Sequence, residues 1–356
     1  MHDTAQATCE LPGKAGARLH ERVMICLDDK EREMFASGGY FQNLPVEVIH
    51  YTTGQCTPAQ WRAVLREVQP TVLVTCWRAL PLPEDYVNDP GLRLRYVCHL
   101  VGSVKSLVPR RLLERGVAVT NWGGIASVAV AEHALLLVLA ALRRSPRWRE
   151  GLHVPFREQP QYRIDLNTLS LSGRAVGIHG FGMIARHLVK LLQPFGVQVS
   201  ACSQGVPESF MRKHGVKPCA SLEELFSAHS VVVECEALTP LTENSVTARI
   251  LNLLPEDAVF VNVARGRLVD EPELARLARS GRIRVALDVY CNEPLPLPPS
   301  AELLDVKDAV LSPHIGGPTS DLYPRCTALA EANLTRFFNN EPLEAKITLQ
   351  DYDRAT

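Results

Sequence analysis

The segment Ala175-Val-Gly-Ile-His-Gly-Phe-Gly-Met-Ile-Ala185 passes from a β-branched run through two glycines into a helical pattern with apolar residues at Ile184, Leu188, Leu191 and Leu192. In such a GxGxxA turn, Gly180 permits a tight bend, Gly182 lets main-chain N–H groups approach a pyrophosphate, and Ala185 lets helix and strand pack closely. Phe181, Met183 and Ile184 complete the stretch expected to lie along a dinucleotide. A second strand at 197–202 supplies the βαβ context that the motif requires. A carboxylate for the adenine ribose hydroxyls is expected about 20 residues on. That position reads Ser203, followed by Gln204. The pair neither repels a 2′-phosphate nor supplies an arginine to grip one, so NAD and NADP both stay open at this point. Arg212 and Lys213 could bend back toward the ribose or form a solvated helix face.

Three later segments place charged side chains where strands end: Val261-Asn-Val-Ala-Arg-Gly-Arg-Leu-Val-Asp-Glu271, Ala286-Leu-Asp-Val-Tyr-Cys-Asn-Glu-Pro294 and Leu311-Ser-Pro-His-Ile-Gly-Gly317. Together with the glycine loop they resemble the D-isomer-specific 2-hydroxyacid dehydrogenase family. The resemblance runs from about Arg93 to the C-terminus, and in outline through the first hundred residues. It implies hydride transfer between NAD(P)H and a small 2-keto or 2-hydroxy acid. Reducing a keto acid needs a cation for the carboxylate and a proton donor for the oxygen that becomes a hydroxyl. Arg265 fits the first need, because a guanidinium fork grips a carboxylate in two places and stays charged. His314 fits the second, and the family pattern implies Glu293 as the acid that holds its ring. Taken singly, the three could be a surface ion pair, a loop acid and a satisfied histidine; jointly they make a site.

By the same resemblance Asp288 would meet the nicotinamide ring, with the main chain of Val263 and Ala264 beside that ring and Gly317 beside the cofactor. Glu236 stands where a small or apolar residue usually faces the dinucleotide. An acid there opposes a 2′-phosphate and favours NAD. Cys235 replaces a frequent histidine, and His179 replaces an aliphatic residue and is read as structural. Main-chain N–H groups for the substrate carboxylate are expected from Leu100-Val-Gly-Ser-Val-Lys-Ser-Leu107, at Gly102, Ser103 and Val104, although the aspartate usual after this loop is missing. Lys105 is either a cation for an acidic or phosphorylated substrate or a solvated lysine. Trp77 and Arg78 fall near the implied cleft, with a packing tryptophan as the equal alternative.

The elements that must hold these residues form two alternating series. Runs at 23–27, 46–49, 72–75, 94–97 and 117–120 alternate with helical stretches such as 58–68 and 109–115, which argues an α/β fold with a parallel sheet covered on both faces. After a Trp-Gly-Gly loop comes an apolar helix, whose first turn Ser127 could cap. Six further strands are expected at 175–179, 197–202, 231–235, 258–263, 284–288 and 310–312. Ser221 with Glu224, and Asp270 with Glu273, have capping-box spacing ahead of intervening helices. Two Rossmann-like doubly wound domains follow. The family's arrangement implies a tail at 1–20, a discontinuous substrate domain at 21–122 and 317–356, and an inserted NAD(P)-binding domain at 123–316. Pro294 to Pro299 reads as a rigid surface loop. The apolar helix resembles the family's dimer-forming segment, implying a homodimer.

Bulk properties agree. A chain of 356 residues is too long for one core, and 46% hydrophobic with 22% charged residues is globular composition. A net charge of −1 gives no electrostatic case for nucleic acid or an anionic membrane. Ten scattered cysteines lack the close pairs of zinc or redox sites, so no metal is expected and the thiols read as reduced. The first residues lack an apolar run behind a basic start, making the cytosol the expected compartment. The longest apolar run, 128–142, is interrupted by Glu132 and His133 and is shorter than the roughly 18 residues of a bilayer span. Two rivals remain. A formate or phosphite enzyme would carry an amide in place of Glu293, and a corepressor-like regulator could keep the whole fold and sense NAD(H) without turnover.

Overall fold

Strands flanked by helices on both faces must be apolar throughout, and that is what the runs supply. A computed structural model describes residues 21–354 apart from 43, 45, 54, 55, 294, 299 and 300, so the expected 1–20 tail and parts of the 294–299 loop lie outside the described residues. In the first series β1 (Arg22–Cys26), β2 (Glu47–Tyr51), β3 (Val72–Thr75), β4 (Tyr96–His99) and β5 (Ala118–Thr120) form a parallel sheet in the order β2-β1-β3-β4-β5. Every residue of β3 and β4 is buried. The helix Pro58–Val68 begins with Thr57 and Gln60 closing a capping box and ends at Gln69 in a left-handed conformation. β4 starts two residues later than the 94–97 run, which carries His99 to the tip of the strand.

The second sheet is also parallel and has seven strands: β6 (Ala175–His179), β7 (Gln198–Cys202), β8 (Lys217–Pro218), β9 (Val231–Glu234), β10 (Ala258–Asn262), β11 (Ile283–Leu287) and β12 (Val310–Leu311), in the order β12-β11-β10-β9-β6-β7-β8. The additional β8 is two residues long, too short to leave a period in the sequence. The order reverses between β6 and β9, and a doubly wound sheet opens its binding crevice at such a point. Ser221 and Asp270 do cap their helices by accepting from Glu224 N and Glu273 N. The reciprocal half of each box is missing, because Glu224 accepts from Ala220 N and Glu273 pairs with Arg276 and Asn252.

Between the sheets runs the helix Ile125–Leu142. Ser127 does not cap it: the chain enters three residues earlier, through Gly124 with no side-chain cap, and Ser127 is buried inside the first turn. At 18 residues the helix is long and apolar enough by composition to cross a membrane, contrary to the length read from 128–142. Half of it is nevertheless buried, with Ala131, Leu137 and Val138 in one core with Val176, Val259 and Val261 of the second sheet. The last elements return to the first sheet. Cys326, Ala330 and Leu334 of the helix Tyr323–Phe338 pack with Val23, Ile25 and Val74, and Tyr352 of the helix Leu349–Arg354 packs with Val108 and Leu112.

Candidate active site

Gly180, just past β6, has φ +87°. A Cβ there would lie 2.5 Å from the main-chain N and Cα of Glu236, so the close approach of this loop to the end of β9 requires glycine. Gly182 forms the N-cap of the helix Met183–Leu192 with no side chain capping it, which leaves first-turn N–H groups for an anion. Ala185 is fully buried beneath. These features fit a bound pyrophosphate. Phe181 offers only its main chain, because its ring turns inward onto Phe210 and His214 at centroid distances of 6.2 and 5.7 Å.

Beside this loop, Ser203 Oγ donates to Glu236 Oε2 at 3.0 Å, while Glu236 Oε1 accepts from Ala237 N at 3.0 Å. The end of β9 thus places a carboxylate beside the tip of β7, held by the serine there. Beneath lies a pair that spacing could not reveal: His179 Nδ1 to Glu234 Oε2 at 2.6 Å, with Glu234 Oε1 accepting from Glu236 N at 2.8 Å. Burial works to lower the pKa of His179, but the Glu234 carboxylate overrides it and the net shift is upward.

At the other end a cavity of 740 Å³ is lined by Gly102, Ser103, Ile184, Val263, Arg265, Asp288, Glu293, His314 and Gly317, among others. Arg265 follows β10, where buried Asn262 fixes the turn by accepting from Ala264 N at 2.9 Å and donating to the Arg265 carbonyl at 3.0 Å. Burial pulls the guanidinium pKa down and Glu293 opposes it, but an arginine stays cationic. Glu293 spans two partners: Oε1 accepts from Tyr290 N at 3.1 Å, and Oε2 meets His314 Nδ1 at 2.8 Å. His314 has φ +55° and a 42% exposed side chain. With Nδ1 engaged by the acid, Nε2 is the nitrogen available to the cavity.

Asp288 lines the same cavity, yet its carboxylate mainly anchors the turn that bears His314. It accepts from Ser312 Oγ at 2.6 Å, Ile315 N at 2.9 Å and Gly316 N at 2.8 Å, with His133 Nε2 at 3.4 Å. Burial works against its ionisation, and these donors more than offset that, so its pKa is lowered.

From the first sheet, Gly102 presents its face to the cavity with the Trp122 ring against it; a Cβ on Gly102 would fall 2.8 Å from Trp122 Cζ2. Asn121 Nδ2 holds the Gly102 carbonyl at 2.7 Å. The Val104 side chain is fully buried in the first core and its carbonyl accepts from Leu107 and Val108, so the part expected of it falls to its main-chain N–H. The Ala264 side chain likewise packs into the core with Phe260, so its expected place is a main-chain one, while Val263 lines the cavity. Lys105 reaches the Asp353 carbonyl and the Tyr352 ring, and Arg78 pairs with Asp28 at 3.0 Å, so neither cation lines the cavity. Trp77 does line it. So do His99 and Cys76, which carried no motif in the sequence, and Ser106 and Leu107 at the end of the expected carboxylate loop. Met183, Ser203 and Glu236 lie outside this cavity, beside the glycine loop.

Residues 135–316 match the family described as D-isomer specific 2-hydroxyacid dehydrogenase, NAD binding domain. The chain is 33% identical to a glyoxylate/hydroxypyruvate reductase of Arabidopsis thaliana over 76% of its own length and 81% of that protein. It is 29% identical to the human glyoxylate reductase/hydroxypyruvate reductase over 74% of its length and 80% of that chain. Among solved structures, D-mandelate dehydrogenase of Rhodotorula graminis shares the fold with a TM-score of 0.77 at 22% identity, covering 92% of this chain and 97% of the other.

Proposed function

Since this chain belongs to the D-isomer-specific 2-hydroxyacid dehydrogenases, enzymes with an NAD-binding domain, we propose that it interconverts a 2-keto acid and its D-2-hydroxy acid through Arg265, Glu293 and His314. NADH, when bound, supplies the hydride. Arg265 grips the substrate carboxylate, joined by the main chain at Gly102 and Ser103. His314, oriented by Glu293 through Nδ1, delivers a proton from Nε2 to the carbonyl oxygen, and in oxidation takes it back. The observation that carries this reading is the 2.8 Å His314–Glu293 pair on the wall of the cavity that also holds Arg265.

Gly180, Gly182 and the uncapped helix start take the pyrophosphate. Ser203 and Glu236 face the adenine ribose, and a carboxylate there repels a 2′-phosphate, so NADH is preferred over NADPH. The active form is a homodimer. Support comes from the segment following the long helix, where Leu152 and Phe156 are 83% and 91% exposed, with Trp148 and Ile164 also largely uncovered.

The test is oxidation of NADH and NADPH by the purified chain with a panel of 2-keto acids. Turnover is expected, faster with NADH. Arg265→Ala and His314→Ala should each lower kcat/KM by about two to four powers of ten. Near-normal rates in either variant would overturn the role given to that residue. NADH binding without turnover of any acid would favour the regulator reading instead.

A further inference from the structure

We propose that the acid selected by this cleft carries a bulky, uncharged, apolar or aromatic side chain. The inference rests on the reaction assigned above, which already allots the carboxylate, carbonyl oxygen and hydride-accepting face of the substrate to Arg265, His314 and the cofactor space. The group on the keto carbon must then lie against the remaining wall, and that wall comes mainly from the first sheet.

Its large side chains are mostly apolar or aromatic, beside His99 and the small Cys76, Ser103 and Ser106. Trp77, Ala79, Leu107 and Trp122 face the cavity, with Leu295 from the other side. Trp77 follows β3 and is braced edge-on by Phe35 at 5.5 Å and Tyr323 at 6.3 Å, yet half of its surface stays uncovered. The indole is held in place without being packed away, as suits a preformed apolar subsite. Trp122 is seated against Gly102 beside the carboxylate loop, so a side chain leaving the keto carbon meets aromatic surface soon after the polar groups end.

Charge excludes the alternatives. Arg265 is the only lysine or arginine among the described residues lining the cavity. Arg78 and Lys105, the two nearby cations, are committed to Asp28 and to the C-terminal helix. His99 adds no positive charge near neutrality: burial holds its pKa down to about 4, with Nδ1 on Thr75 Oγ1 at 2.9 Å. A phosphate or second carboxylate on the substrate would be desolvated here without a counter-ion. Glyoxylate has no side chain and would leave the apolar wall unfilled.

Kinetics with NADH on glyoxylate, hydroxypyruvate, 3-phosphohydroxypyruvate, oxaloacetate, 4-methyl-2-oxopentanoate and phenylpyruvate test this directly. One buried methylene is worth about 10- to 200-fold in discrimination. The last two acids should therefore exceed glyoxylate in kcat/KM by about a hundredfold or more. Trp77→Arg, at a half-exposed position, should shift the oxaloacetate to 4-methyl-2-oxopentanoate ratio toward the diacid by at least tenfold. If glyoxylate or a doubly charged acid leads the wild-type panel, or Trp77→Arg leaves the ratio unmoved, the subsite is wrong while the reaction stands. Absence of turnover with every acid despite NADH binding removes both.

Discussion

His99 stands at the tip of β4 with its ring almost wholly buried, and burial holds its pKa down to about 4 from the ordinary 6.5. The unfolded chain takes up that proton near 6.5 and the folded chain only near 4, so the unfolded state binds more protons throughout that interval. Stability from the neutral ring is therefore complete above pH 6.5 and falls as the pH drops toward 4, by about 3 kcal/mol in all. Urea unfolding of His99→Gln across pH 4 to 7 should show a shallower acid loss than the parent chain; equal slopes would mean that the ring titrates normally in the fold. Side chains of this kind were hard to read from the sequence, whereas the three charged residues Arg265, Glu293 and His314, which line one cavity, were legible from their types after successive strands. His179 and Glu234 show why. They are partners in the β6–β9 ladder but 55 residues apart in the chain, and no spacing rule links them. Asn262 sits within a motif, yet its task of bracing Arg265 appears only when both its amide contacts are seen.

Arg284 illustrates how elements are joined. Within the buried strand β11 its side chain is 2% exposed and forks onto Asp257 through two contacts of 2.7 Å. It also donates to the carbonyls of Leu142 at 2.9 Å and Asn167 at 2.8 Å, so the C-terminus of the long helix is satisfied from the sheet. Arg284→Ala would strip both carbonyls of their donor and leave Asp257 with only Arg144 at 3.6 Å and the Asn167 amide at 3.1 Å, and should cost about 2–3 kcal/mol. Thermal or urea unfolding measures this, and a loss below about 1 kcal/mol would show that water replaces the fork. Arg284→Lys should not restore it, because a point charge cannot span the acid and two carbonyls. In the sequence Arg284 is one charge in an apolar run, with partners 27, 117 and 142 residues away. Strand positions, by contrast, were readable to within a residue or two, since buried parallel strands leave unbroken apolar runs; β8 and the entry at Gly124 were not, being set by packing rather than by pattern.

For the molecule as a whole, the segment from Trp148 to Ile164 leaves four large apolar side chains, Trp148, Leu152, Phe156 and Ile164, more than half exposed. Light scattering on the eluting protein should give twice the mass of one chain. Phe156→Asp with Leu152→Asp should give single chains, and an unchanged mass would place the dimer contact elsewhere. Both domains were visible in outline from alternation alone, but the return of the last helices to the first sheet came from family likeness, because periodicity does not say which core a helix joins. That return also orders events in time. Thr327 bonds the Phe35 carbonyl and Tyr352 the Val108 carbonyl across 292 and 244 residues, whereas the second core is built from one continuous stretch. On a ribosome the cofactor-binding half can close while the first sheet still lacks its cover. The substrate half is begun first and finished last, and the longest wait for aggregation-prone strand faces falls on β1 to β5.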